Sequence, residues 1–497
     1  MIYLGIDSGT QSTKVIALDD ETGRILAQAQ QAYELIPDLP AGHMEQHPEA
    51  WWQATGDCLD QVCQALGDRR GEVRGIGVSG QQHGLVVLDR DDRPVRPAKL
   101  WCDTSTTDQC RQYHEAFGGP GGLIELAGNA MLPGYTAPKL LWLKQNEPDH
   151  FARVRSVLLP HDYLNFRLTG VRRMEYGDAS GTGWLNVRTR DWAAELLDFI
   201  DPGAADWLPP LGSSLQPHGE LDSGLRRRWG LPDGVIVSAG GGDNMMGAIG
   251  TGNIRPGVVT VSLGTSGTVY ALAEQPVTDP AGEVAAFCDS TDRWLPLVCT
   301  MNVTVVTEQV RRLFGWDLAE LERQMASAPA GAGGITMLPY LTGERTPNLP
   351  NASGVLHGLR PDNLSPAHLA RAAAEGATLG LAYGLGRFRQ LGIDPSEIRL
   401  TGGGSNSATW RQLVADAFDC EAVTLDTAEG ACLGAALQAA AIDPQGSGEA
   451  LEDRCARLVQ LDESTRCRPQ GEARDLYREA LERHTGLSRC LSGGDWL

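Results

Sequence analysis

Two short stretches of this chain nearly repeat one another. "LGIDSGTQSTKVIALD" runs from Leu4 to Asp19 and "VSLGTSGTVYAL" from Val261 to Leu272, each a Gly-Thr turn set between apolar runs. Gly9 and Gly264 lie 255 positions apart in a chain of 497, about half its length, which is the signature of a duplicated unit. So long a chain outgrows a single hydrophobic core and divides naturally into two bodies of roughly 250 residues. The halves are taken as 1–245 and 246–497, with one turn near the start of each.

Strand-like and helix-like runs alternate along both halves. "RGIGVSG" and "LVVLD" read as strands. "PEAWWQATGDCLDQVCQAL", from Pro48 to Leu66, reads as an amphipathic helix with Pro48 at its first position and Glu49 at its positive end. "VIVSAGGGDN" reads as a buried strand ending in glycines, and "PAHLARAAAEGATLGLAYGLGRFRQLG" as a long Ala-rich helix closed by Gly392. "IRLTGGGSNSATWRQLVADAFDC" is strand, glycine turn and helix. The alternation predicts an α/β protein whose helices cover mixed sheets. Beyond Asp443, "PQGSGEALED" reads as a linker, "EARDLYREALERH" as a surface helix and "SRCLSGGDWL" as a frayed end.

Charge and cysteine content remove whole classes of function. A formal net charge of −21 and a pI near 4.9 argue against binding nucleic acid or an anionic membrane. Eleven cysteines with no Cys-x-x-Cys pair indicate neither a disulfide framework nor a zinc knuckle. The alternating "MIYLGID" opens as a strand rather than a signal peptide, and no apolar run approaches the roughly 20 residues that span a bilayer. A soluble, reduced, cytoplasmic protein is expected. Nothing fixes its oligomeric state, and a homodimer stays open.

Three readings of the glycine turns compete. A P-loop is excluded because the Gly-Lys pair it needs occurs nowhere. "GIGVSG", from Gly75 to Gly80, matches the Rossmann fingerprint literally, but it lies in a strand and "QQHGLVVLD" continues as another strand rather than a helix. The third reading is a pair of hairpin turns whose backbone N–H groups and hydroxyls form concave donor arrays, gripping one triphosphate from both sides of a cleft. An ordinary polar hairpin turn is the alternative for either alone. Asp7, at the strand end before the first turn, is placed to hold Mg²⁺, as phosphoryl transfer requires.

Elsewhere the residues by themselves leave roles open. Asp243 in "GGGDNMMGAIG" suits a helix N-cap as well as a proton acceptor, and the glycines before it would let backbone approach a substrate. Gln82 and His83 in "SGQQHG" offer donors and acceptors to a polyol, or simply fill a buried turn. His43, Glu45 and His47 carry metal-ligating groups without fixed geometry, so a metal site is not expected there.

In order along the chain, "GIDSGTQSTK", "EQHPEAWW", "SGQQHGLVVLD", "YGDASGTGWLNVRTRDW", "GGGDNMMGAIGTG", "SLGTSGT", "LPYLTGERTPNLPNASG", "TGGGSNSATWRQLVAD" and "EGACLGAALQAA" resemble the FGGY carbohydrate kinases. The resemblance implies the two-lobed, ribonuclease H-like α/β fold of the sugar kinase, Hsp70 and actin superfamily, with a cleft between duplicated domains. It implies ATP and Mg²⁺ as cofactors, with Mg²⁺ at Asp7, and a small sugar as partner. The first half would carry the sugar site and one phosphate loop, with Gly9, Thr10 and Thr13. The second would carry the other loop, with Gly264, Thr265 and Ser266, and an adenosine site at Gly402, Gly403 and Ser407. Asp243 matches the family's catalytic base, and Asn244, Gln82, His83, Trp101 and Asp103 its sugar contacts. The segment "LWCDTST" departs from the family at Cys102 and at Thr104–Ser105, which puts contacts there in doubt. His83 stands where glycerol kinases show an Arg-Glu pair, so the implied acceptor is a ketose, D-xylulose first. Another ketose, a polyol, or a non-catalytic actin-like nucleotide switch are the alternatives.

Overall fold

The computed structural model describes residues 1–427, 429–494 and 496–497. Its frame is two sheets of the same design. In the first, the order is Gly219–Glu220, Ile236–Val237, Val73–Gly80, Ile2–Ser8, Ser12–Asp19, Ile25–Ala32. In the second, it is Leu461–Cys467, Glu421–Leu425, Glu397–Thr401, Val258–Leu263, Gly267–Ala271, Leu297–Thr300. Pair for pair, the senses agree: an antiparallel edge, two parallel pairs, then two antiparallel pairs. The repeat read in the sequence is thus a repeat of topology, and each Gly-Thr turn is the three-residue loop of its sheet's central hairpin.

Each sheet closes a core with its helices. The Pro48–Leu66 helix buries Trp51, Cys58, Leu59, Val62 and Leu66 along one stripe, against Ile2, Leu4, Ile6 and Ile76 of the first sheet. The Pro366–Gln390 helix does the same for the second, with Leu381, Leu385 and Phe388 against Val261 and Leu400. A third core, including Leu85, Tyr113, Tyr135, Leu140 and Trp184, reaches across to Met245, Phe287 and Leu297 and walls one end of the cleft.

The lobes are pinned where helices Asp243–Gly250 and Gly430–Ile442 cross. A Cβ on Gly250 would lie 1.7 Å from the Gly430 carbonyl oxygen, and one on Gly434 would lie 1.8 Å from that of Met246. The second helix also lies on the first sheet, where Gly5 and Gly77 clear its backbone. Gly434→Ala should therefore force the crossing apart, at roughly 1–3 kcal/mol or more for overpacking. A clear drop in apparent Tm is expected, and an unchanged Tm would mean the helices part freely.

Several local expectations change in the structure. The Asp243–Gly250 helix spans the 245/246 division, and the next strand begins at Val258. Of "VIVSAGGGDN" only Ile236–Val237 and Gly241–Gly242 are strand. The glycines there make room for protein rather than substrate: a Cβ on Gly241 would meet Ser290 Oγ at 2.2 Å, and one on Gly242 would meet Gln82 Cγ at 2.6 Å. The closing stretch is not loose before Gly493, because the last helix spans Gly471–Gly493 and buries Tyr477, Ala480, His484 and Ser488. The Rossmann-like glycines lie inside strand Val73–Gly80. Among the described residues, no helix is long and apolar enough to cross a membrane.

Candidate active site

Both Gly-Thr turns are built by one device. In the first, Tyr33 Oη donates to the Gly9 carbonyl (2.6 Å) and Gln46 Nε2 to that of Thr10 (2.7 Å). In the second, Thr304 N donates to the Gly264 carbonyl (2.9 Å) and Val303 N to that of Thr265 (3.0 Å). In a planar trans peptide the next N–H points opposite its carbonyl. Holding back these carbonyls therefore turns out the N–H groups of Thr10 and Gln11, and of Thr265 and Ser266.

Two cavities meet between the turns. The larger, about 1770 Å³, is lined by Asp7, Gly9, Ser12, Lys14, Gly402, Gly403 and Glu429 among others. The smaller, about 1150 Å³, is lined by Gln82, His83, Trp101, Tyr135, Ser266 and Arg345 among others. Asp243, Asn244, Ser262 and Thr268 border both. Burial first, then the charges of Asp7 and Asp178, push the Asp243 carboxyl up to about 7. Burial raises Asp7 as well, against a hydrogen bond from Ser79 Oγ (2.8 Å) and the charge of Lys14. Lys14 pairs with Glu429 at 2.7 Å, joining first-sheet hairpin to second-lobe helix across the larger cavity.

On the other side, His83 sits in left-handed backbone, φ 64°. Its carbonyl accepts from Lys139 Nζ (2.7 Å) and Thr136 Oγ1 (3.2 Å), which hold that conformation in place. Lys139 is fully buried with its ammonium on the His83 and Gly134 carbonyls, and burial brings its pKa down to about 7. Burial, then Lys139 and Arg345, hold the His83 imidazole well below its ordinary range, so the ring is neutral. Trp101 lines this cavity while its indole donates to Thr10 Oγ1 (2.9 Å), tying the wall of the smaller cavity to the first Gly-Thr turn.

Three expected site residues point elsewhere. Thr13 is buried and bonds Ser8 and Tyr33; strand alternation turns it from the cavity that Ser12 and Lys14 face. Ser407 caps the Ala408–Phe418 helix through Trp410 N and donates to Glu322, so its hydroxyl is spent on structure. Asp103 is fully buried, accepting from Lys99 Nζ (3.1 Å), Met44 N (2.9 Å) and Ser105. With His43 and Glu45 it makes a trio of metal-type ligands. The place a cation would take there is filled by the Lys99 ammonium, 3.2 Å from His43 Nδ1 and 3.1 Å from Glu45 Oε1. His47 is exposed at the start of the Pro48–Leu66 helix. Thr265 is exposed on its turn.

Family comparison decides what this geometry belongs to. The model of the FGGY family of carbohydrate kinases, N-terminal domain, matches residues 2–250, and that of the C-terminal domain matches 259–442. The chain belongs to the FGGY family of carbohydrate kinases. It is 45% identical over 496 residues to a xylulose kinase of Haemophilus influenzae, covering 98% of this chain and 100% of that one. A Streptomyces coelicolor xylulose kinase is 39% identical over 444 residues, 89% of this chain and 88% of that one. The crystal structure of a xylulose kinase from Brucella ovis superposes with a TM-score of 0.93 at 31% identity, covering 99% of this chain and 100% of that one. A carbohydrate kinase uses ATP as co-substrate, and two adjoining cavities lie between the hairpin turns of this FGGY kinase.

Residues that the sequence alone does not single out complete both sides. Lys14 lies within "GIDSGTQSTK" and Glu429 opens "EGACLGAALQAA", and the alternation that excludes Thr13 selects Ser12 and Lys14. Arg345 and Glu283 come from loops far along the chain, and only the folded cleft brings them beside His83.

Proposed function

We propose that this kinase transfers the γ-phosphoryl group of ATP to the terminal hydroxyl of D-xylulose, giving D-xylulose 5-phosphate and ADP, with Asp243 as general base. The observation that carries the reading is the position of Asp243 on the border of both cavities. An acceptor hydroxyl in the smaller cavity and a γ-phosphate in the larger would meet at its carboxylate. As the hydroxyl oxygen attacks phosphorus, its proton passes to Asp243 and ADP departs with the electrons of the broken P–O bond. The turned-out N–H groups of both hairpins would hold the phosphate oxygens, and the neutral His83 and Gln82 the sugar hydroxyls. Gly402 and Gly403 would floor the adenosine, since nothing lies within 4 Å of a Cβ placed on Gly403.

Asp7 suits Mg²⁺. Its half-buried carboxylate and that of Asp243 raise a local negative potential, and hard oxygen donors of this kind match a hard divalent cation. Bound there, Mg²⁺ would neutralise charge on the phosphates. The xylulose assignment draws on the relatives' activity and on the residues at 82, 83, 243 and 244. It is tested by ADP release with D-xylulose, L-xylulose, D-ribulose, L-ribulose, glycerol and gluconate. D-Xylulose should give the highest kcat/KM; a higher value for another acceptor overturns the sugar while leaving the kinase.

A further inference from the structure

Behind the sugar cavity lies a cluster for which the reaction above gives no use. His161, Asp162, Glu175 and Asp178 are each at most 2% exposed. His161 Nδ1 is 2.6 Å from Asp178 Oδ2, and its Nε2 is 3.1 Å from Asp162 Oδ1. So buried a group of charges is expensive to keep, and replacing it by apolar residues is often neutral or stabilising. Its placement suggests a reason for it.

From the other direction, a chain of amides runs out of the base. Asn244 Nδ2 donates both to Asp243 Oδ1 (2.9 Å) and to Gln82 Oε1 (2.8 Å). The Gln82 oxygen is thereby committed as an acceptor, which leaves its Nε2 end as a donor. That nitrogen is buried without a well-formed partner, and so is Asp178 Oδ1. The two belong to one neighbourhood: Gln82 draws the Asp178 carboxyl down against the upward push of burial, though no well-formed hydrogen bond joins them. A buried donor left unmade costs about 1–3 kcal/mol, so an orphan donor beside an orphan acceptor favours the amide orientation that pairs them. Gly242 keeps Gln82 in this slot, since any Cβ there would collide with it.

We infer that Asp178, oriented by His161, is a positioning residue for phosphoryl transfer: it fixes which way the Gln82 amide faces, and through Gln82 and Asn244 it fixes the Asp243 carboxylate. The inference rests on Asp243 as the base. Asp178 touches neither reacting atom and acts only through Gln82. An Asn at 178 can set its own NH₂ against that of Gln82. Relieving the clash flips the Gln82 amide, which then presents a donor to the donor of Asn244 and disturbs the Asn244 side chain, leaving the Asn244 backbone N–H (2.8 Å) as the remaining hold on Asp243 Oδ1.

The test is a double-mutant cycle on the full-length enzyme, read as ADP release at saturating sugar and ATP, with whichever acceptor the panel selects. Asp178→Asn should lower kcat by about tenfold or more while KM for ATP moves less than about twofold. In a Gln82→Met background the amide link is gone, and Asp178→Asn should then change kcat by less than about twofold. Equal losses in both backgrounds, wild-type kcat for Asp178→Asn, or loss of the native circular dichroism signal in either background makes Asp178 a structural residue and overturns the inference. Failure of the underlying reading is separate: it would appear as turnover retained in Asp243→Asn, whatever the cycle gives.

Discussion

Asp243→Asn is expected to fold as the wild type does, bind ATP with near-normal affinity and lose turnover by about 10²–10⁴-fold. The substitution is nearly isosteric and keeps an oxygen for the Asn244 hydrogen bonds, so the helix start at Asp243–Gly250 should survive. What it removes is the proton acceptor. The pH profile gives an independent check. A base must be ionised, and burial with the neighbouring charges of Asp7 and Asp178 raises this carboxyl to about 7. In the free enzyme kcat/KM should be flat above that pH and fall about tenfold per unit below it. Mg²⁺ bound at Asp7 as proposed would favour the ionised form, so the limb in kcat should lie at lower pH than the limb in kcat/KM. In Asp243→Asn the acid limb should vanish from the residual rate. A folded variant with more than a tenth of wild-type turnover would remove Asp243 from the base position.

The duplication and the hairpin turns are legible in the amino-acid sequence alone, because topology repeats where chemistry repeats. Gly9–Gln11 and Gly264–Ser266 are loops of equal length between strands of equal pairing. Helix Pro48–Leu66 is legible to the residue, since an apolar stripe and a proline start coincide. Side-chain direction is harder to read. Thr13, Asp103 and Ser407 sit in or beside family motifs, yet one faces a core, one pairs with a buried lysine and one caps a helix. Motif membership places a backbone near a site without saying which way the side chain points. Strand parity suffices to turn Thr13 inward. Nothing comparable serves for Asp103, because its partner Lys99 is meaningful only once Trp142, whose ring centre is 4.0 Å from the Lys99 ammonium, folds over it. The edge strand Leu461–Cys467 escapes for a related reason: its polar sequence suits an exposed sheet edge and looks like linker.

His83→Ala is expected to lower kcat/KM for D-xylulose by about 5- to 150-fold, the equivalent of roughly 1–3 kcal/mol for a sugar hydroxyl left unpaired in a buried site. KM for ATP should hardly move, since His83 lines only the smaller of the two cavities. The structure narrows which atom matters. His83 Nδ1 faces the backbone of Gly181, where even a Cβ would approach to 2.2 Å, so Nε2 is the nitrogen left for the sugar. Burial and the nearby Lys139 and Arg345 keep the ring neutral, so sugar binding should show no histidine titration between pH 6 and 8. Lys139→Met makes a useful companion: it deletes the ammonium on the His83 carbonyl, and releasing the left-handed backbone should raise the sugar KM while leaving that of ATP alone. The loss in His83→Ala should shrink for 1-deoxy-D-xylulose if the missing hydroxyl is the one His83 bonds, because no bond then remains to be lost. Should His83→Ala leave sugar kinetics intact while lowering Tm, the imidazole is a packed core group against Tyr135 and Phe287, and sugar choice must lie with Arg345 and Asn244 instead.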